Sequence, residues 1–321
     1  MKGGAAFLSA ARSKAMEQKE RTKDMRDCKL GVIGGDLRQL VMARALAERG
    51  FEVALFGIDT YTGDYGEITR CTEPASAVRG CRAVILPLPI TNDGERLNCP
   101  LTKKTVSLPA LFHLFEPGQL ALGGRVTRPV ERMAAKADIE LIDYYEREEL
   151  KISNAVPTAE GALAIAMSEV PYTIHGAKCL VVGYGRVGRA MARLLGGVGA
   201  EVTAAARRYE DLARIRADGY RTVRTERLAA VAGDFSIIFN TVPAEIFTKE
   251  VLSVIPPSVP IIDLASSPGG VDRDFAEKNG NHTVFALSLP GKTAPVTAGH
   301  IIEESVLNIL HGKGVFCDGA R

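Results

Sequence analysis

Gly183-Tyr184-Gly185-Arg186-Val187-Gly188 is the segment whose composition and spacing most directly imply chemistry. It follows the apolar run 178–182 and opens a helical pattern over 186–195, the strand–turn–helix setting in which G-x-G-x-x-G binds a dinucleotide. Gly183 permits the tight turn, Gly185 lets the backbone approach a pyrophosphate, and Gly188 lets helix and strand pack closely. The phosphates then meet unpaired amides at the positive end of the helix. An NAD site normally places Asp or Glu after the next strand to accept hydrogen bonds from the ribose hydroxyls. Here that stretch reads Ala204-Ala205-Ala206-Arg207-Arg208. A guanidinium cannot accept those bonds but pairs well with a 2′-phosphate, so Arg207 and Arg208 favour NADP, with NAD as the open alternative.

Two later strand ends extend this site, because ligands of open α/β sheets lie at the carboxyl ends of strands. Thr241, Val242 and Pro243 are expected to cover the adenine side, with Ala265 and Ser266 nearer the nicotinamide. The alternative is ordinary turn chemistry, with Asp263 as a helix cap. A second glycine turn, Gly34-Gly35-Asp36-Leu37-Arg38-Gln39, lacks the third glycine, and Asp36 sets a carboxylate where a phosphate would lie. Asp36 is expected to cap the helix or hold a substrate group, with Arg38 and Gln39 facing a cleft between two lobes. A capped helix with a solvent-facing arginine is the alternative.

The elements that position these residues read as strands alternating with helices, which implies parallel sheets. Apolar runs at 30–33, 51–57, 83–88, 118–122 and 140–142 precede a change of character at 154–167, where Pro157 and Thr158 are expected to start an alanine-rich helix. A second series of strands follows at 178–182, 201–205, 235–240, 260–265 and 283–287. A turn at Pro290-Gly291-Lys292 and a helix over 297–310 close the chain. The expected fold is two α/β lobes, each a doubly wound parallel sheet, the C-terminal one a Rossmann domain and the N-terminal one Rossmann- or flavodoxin-like. The expected boundaries are an extension at 1–28, a substrate and catalytic domain at 29–152, an inter-lobe helix at 153–175, the NADP-binding domain at 176–288, and a returning segment at 289–321.

At 321 residues the chain exceeds the usual single domain, and 46% hydrophobic with 24% charged residues is an ordinary globular balance. A formal charge of +2 gives no concentrated basic face for nucleic acid or a membrane. The head before Lys29 is too rich in charge for a signal peptide and reads as a frayed or surface helix. The six cysteines include no C-x-x-C pair, and His175 with Cys179 has no further ligand pair, so no metal site and a reducing compartment, the cytoplasm, are expected.

Val32-Ile33-Gly34-Gly35-Asp36-x-Arg38-Gln39, Pro157-Thr158-Ala159-Glu160-Gly161-Ala162, the motif at 183–188 and Leu289-Pro290-Gly291-Lys292-x-Ala294-Pro295-x-Thr297-Ala298-Gly299 together resemble the dipicolinate synthase A-subunit family over about 29–310. The resemblance implies work in the mother-cell cytoplasm of a spore-forming bacterium, with a smaller flavoprotein-like B subunit. It implies oxidation of a dihydro- or hydroxytetrahydro-dipicolinate to dipicolinate, with NADP as acceptor. A small dicarboxylate calls for cations and amide donors, so Arg38, Gln39, Thr158, Lys292 and the start of the last helix are its expected contacts. Glu160, His300 and Asp36 are the candidates for proton transfer. A homo-oligomer is expected by analogy. The pattern also resembles hydroxyacid dehydrogenases and adenosylhomocysteine hydrolases, and a nucleotide-sensing module without catalysis is the reading from another class.

Overall fold

The computed structural model describes residues 28–266 and 268–316, so the charged head, apart from Cys28, lies outside the described residues, as do Ser267 and Cys317. The chain divides into two units, one formed by residues up to Lys151 with those from Pro295 onward, the other by Ile152–Ala294.

In the first unit, β1 (Lys29–Ile33), β2 (Glu52–Phe56), β3 (Thr69–Cys71), β4 (Ala83–Ile85), β5 (Leu120–Gly123) and β6 (Glu140–Asp143) form one sheet. Its order is β3-β2-β1-β4-β5-β6 and its described pairings are all parallel. This is the Rossmann order, so the flavodoxin-like alternative falls away. Central strands read as continuous apolar runs because both faces are covered. Leu30 and Val32 pack into one cluster, and Ile33 with Phe56 into another on the opposite face.

Helix α1 (Leu37–Glu48) follows β1 directly. Asp36 caps it by accepting from the Arg38 amide at 3.0 Å. Its apolar positions Leu40, Ala43 and Leu46 face the sheet at helical spacing. Gln39 was expected to face a cleft, yet it is fully buried. Its Nε2 donates to the Tyr144 hydroxyl at 3.2 Å, and that hydroxyl donates to the Leu86 carbonyl at 3.0 Å. The side chain is turned inward to Tyr144, in the helical turn that follows β6, and its Oε1 is buried without a hydrogen-bond partner among the described residues.

Helix α2 (Glu148–Glu169) corrects the expectation that Pro157 and Thr158 start a helix, since Pro157 lies inside it. A proline there removes one backbone bond. The helix nonetheless begins earlier, with Glu148 and Glu149 in its first turn, and Thr158 Oγ1 returns a bond to the Asn154 carbonyl at 2.7 Å.

In the second unit, β7 (Lys178–Val182), β8 (Glu201–Ala206), β9 (Arg221–Arg224), β10 (Ile237–Asn240), β11 (Ile261–Asp263) and β12 (Thr283–Phe285) are ordered β12-β11-β10-β7-β8-β9, the same topology again. Helices α3 (Arg186–Gly197) and α4 (Tyr209–Ala217) follow β7 and β8. The expected turn at Pro290–Lys292 is instead a short helix, α5 (Leu289–Thr293), with Pro290 in its first turn, where no amide is needed. The last helix, α6, spans Pro295–Gly312 and packs along α1 through Ile302, Val306, Ile309 and Leu310. Among the described residues no helix is long and apolar enough to cross a membrane.

Tyr144→Phe is expected to strand the Leu86 carbonyl and the Gln39 amide, lowering stability by about 1–3 kcal/mol in urea unfolding. A change below about 0.5 kcal/mol would mean that the buried chain of bonds contributes nothing to the fold.

Candidate functional site

The glycine motif sits where β7 gives way to α3. A side-chain carbon on Gly188 would lie 2.1 Å from the Gly183 carbonyl oxygen, closer than any such contact allows. One on Gly183, whose φ is +96°, would lie 2.3 Å from Thr241 Oγ1. Helix and strand therefore approach to a distance that only glycine permits. A side-chain carbon on Gly185, by contrast, would meet nothing within 4 Å. Gly185 is the N-cap of α3 and no side chain caps that end. The start of this three-turn helix thus carries no side-chain cap and lies over a glycine with open space above it, an arrangement that suits a pyrophosphate and the helix dipole that attracts it.

The neighbouring strand ends converge on this turn. Thr241 donates its amide and hydroxyl to the Val182 carbonyl, each at 2.9 Å. The buried Asp263 carboxylate accepts from Asn240 Nδ2 at 2.8 Å and from the Ala265 and Gly270 amides at 3.1 Å each. It therefore organises the loop that carries Ala265 and Ser266 instead of capping a helix. Thr241, Val242 and Pro243 leave β10, and Ala265 and Ser266 leave its neighbour β11, so both sets end on the same edge of the sheet. Tyr184 differs from the rest of the motif: its side chain is buried and its hydroxyl donates to Asp218 at 2.7 Å, so the loop presents only its backbone there.

After β8 the chain presents Arg207 and Arg208, both exposed. Arg208 is engaged by Asp211 at 2.8 Å and Glu210 at 2.9 Å. Arg207 makes no hydrogen bond or ion pair among the described residues, and it stands where an acid would hold ribose hydroxyls.

The corresponding turn of the first unit is filled by its own chain. The Gly35 amide donates to the Asn98 carbonyl at 2.8 Å, and a side-chain carbon on Gly34 would lie 2.5 Å from Cys99 Sγ. The amide that could meet a phosphate is already engaged. Both Asp36 oxygens accept from the Arg38 guanidinium, at 2.9 Å from Nε and 2.8 Å from Nη2, and Nη2 also donates to the Leu88 carbonyl at 2.5 Å. Arg38 is 8% exposed, so the solvent-facing arginine is excluded and its charge is compensated where it is buried.

The remaining expected residues fall in both units. His300, on α6 in the first, places Nδ1 3.0 Å from Glu303 Oε2, and the buried Glu303 also pairs with Arg49. Thr158, Glu160 and Lys292 belong to the second unit, and Glu160 and Lys292 are exposed. Burial pushes the thiols of Cys81 and Cys99 up to about 11 and that of Cys179 to about 12, so these cysteines are inert packing groups. Among the described residues no three His, Cys, Asp or Glu side chains gather to hold a metal.

Comparison with known proteins matches residues 29–145 to the N-terminal domain of the dipicolinate synthase A-subunit, and residues 159–269 to the NAD-binding domain of D-isomer-specific 2-hydroxyacid dehydrogenases. The dipicolinate synthase A-subunit of Bacillus subtilis is 34% identical over 283 residues, 88% of this chain and 95% of that protein. The crystal structure of the corresponding A-subunit from Bacillus halodurans superposes with a TM-score of 0.83 at 31% identity, covering 89% of this chain and 98% of that one. A transhydrogenase from Sinorhizobium meliloti, at 15% identity and a TM-score of 0.67 over 88% of this chain and 94% of its own, shares the fold alone.

The two motif glycines are expected to separate under substitution. Gly188→Ala should lower the thermal midpoint, because helix and strand must move apart. Gly185→Ala should unfold like the unchanged chain while losing about tenfold or more in calorimetric affinity for dinucleotide. Full affinity in Gly185→Ala would remove the phosphates from this loop.

Proposed function

The chain belongs to the dipicolinate synthase A-subunit family, and from that membership we propose that it oxidises a partly reduced pyridine dicarboxylate to dipicolinate with NADP as electron acceptor. It is an NAD(P)-dependent oxidoreductase. The observation that carries the choice of NADP is Arg207: it follows β8 without an ion-pair partner among the described residues, in the place where an NAD site carries an acid.

Bound NADP supplies a hydride-accepting ring. The dihydro substrate gives up a hydride from one saturated ring carbon and a proton from its neighbour, and the aromatic pyridine that results drives the step. A hydroxylated precursor must first lose water. The proton goes to a side chain. Asp36 has both oxygens engaged by Arg38, whereas His300 meets Glu303 through Nδ1 and has Nε2 outside that contact, which puts it first among Asp36, Glu160 and His300. Arg38, Thr158 and Lys292 are assigned to the substrate on its carboxylate chemistry. Gln39 is not among them, because it is fully buried and engaged by Tyr144. The reaction belongs to the cytoplasm of a sporulating mother cell, where the chain works as a homo-oligomer beside a flavoprotein-like B subunit.

The test is dipicolinate formation coupled to nicotinamide reduction, measured with NADP and NAD and with and without the B subunit. The expected result is turnover with NADP, with Arg207→Ala raising the KM for NADP about tenfold or more and leaving NAD untouched. His300→Gln should lower kcat more than Glu160→Gln or Asp36→Asn. Dinucleotide binding without turnover under any of these conditions would favour a sensing role over an enzyme.

A further inference from the structure

Strand register places a second cation beside Arg207. Ala206, the last residue of β8, pairs with Arg224, the last residue of β9. Adjacent strands lie about 4.8 Å apart, so Arg207 and Arg224 leave the same edge of the sheet as neighbours. Arg224 Nη1 donates to the Tyr209 hydroxyl at 2.7 Å, and its guanidinium carbon lies 4.9 Å from the centre of that ring. Its Nε donates to Glu226 Oε2 at 3.0 Å. Tyr209 opens α4 and is 72% exposed, a large aromatic left in water with a cation on its face. The hydrogen bond from Arg224 holds the Glu226 carboxyl below its usual range, its own backbone amide adds to this, and the charges of Arg224 and Arg207 contribute further. Two guanidiniums thus act on one surface carboxylate.

We propose that Arg207, Arg224 and Tyr209 form the subsite for the 2′-phosphate of NADP, and that Glu226 is an internal anion which occupies it until the phosphate displaces it. The inference rests on the NADP reading above and assigns the residues that read the phosphate. A phosphate presents three acceptor oxygens and more charge than a carboxylate, so it is the better partner for two forks side by side. The exposed Arg224–Glu226 pair contributes little to the fold, so the exchange does not unsettle the sheet. The glutamate repels the incoming phosphate and thereby tunes affinity and salt dependence.

The test is calorimetric titration of the full chain with NADP and with NAD, at low and high salt, on the unchanged protein and on Arg224→Ala and Glu226→Gln. Arg224→Ala should weaken NADP about tenfold and flatten its salt dependence, with NAD unchanged. Glu226→Gln should tighten NADP severalfold, again with NAD unchanged. If the unchanged chain prefers NADP and neither substitution moves that preference, the subsite is wrong and the NADP reading stands. If the unchanged chain lacks the preference and Glu226→Gln creates it, the subsite stands and the NADP reading fails. No preference in either protein overturns both.

Discussion

The contact between the Gly183 carbonyl and the backbone at Gly188 is the constraint on which the nucleotide unit depends. It draws α3 down onto β7 until no side chain fits between them, and so aims the first amides of the helix over the uncovered Gly185. The other parts follow from the sheet. With β7 fixed, β10 and β11 bring Thr241 and the Asp263-organised loop to the same edge on one side, and β8 and β9 bring Arg207 and Arg224 on the other. In the proposed site phosphate recognition is therefore a backbone property, and the proposed choice between cofactors falls to two strand ends.

The first unit shows what the same topology becomes without that constraint. Its sheet has identical order, but Asn98 takes the Gly35 amide and Cys99 fills the space over Gly34. The charged groups near that turn are paired inward, Asp36 with Arg38 and Arg38 with the Leu88 carbonyl. On α6, Glu303 joins Arg49 and His300 in the same way, since a buried carboxylate is tolerated only when donors surround it. Two sheets of one topology thus supply different surfaces: one offers a helix start without a side-chain cap over an uncovered glycine, the other fixed and compensated side chains.

What the sequence disclosed follows from how local each signal is. The strand–glycine–helix passage at 178–195 carries its meaning within eighteen residues, and the missing acid after β8 is read from a fixed offset. Strands β3 and β9 were not legible because Thr69-Arg70-Cys71 and Arg221-Thr222-Val223-Arg224 are short, polar edge strands without an apolar run. Pro157 misled because a proline usually marks a helix start, whereas here the preceding turns were strong enough to carry the helix through it. Gln39 and Arg224 depend on partners 105 and 15 residues distant in the chain, and such pairings exist only once sheet register and helix rotation are set.

Hydride transfer from substrate to a nicotinamide held in the second unit is the central claim, and isotope transfer measures it most directly. Substrate deuterated at its saturated ring carbons, turned over once with unlabelled NADP, should leave deuterium on the reduced nicotinamide in step with the dipicolinate formed. Dipicolinate appearing while all the deuterium is released to water would contradict the account and move the oxidation away from this chain's nucleotide site.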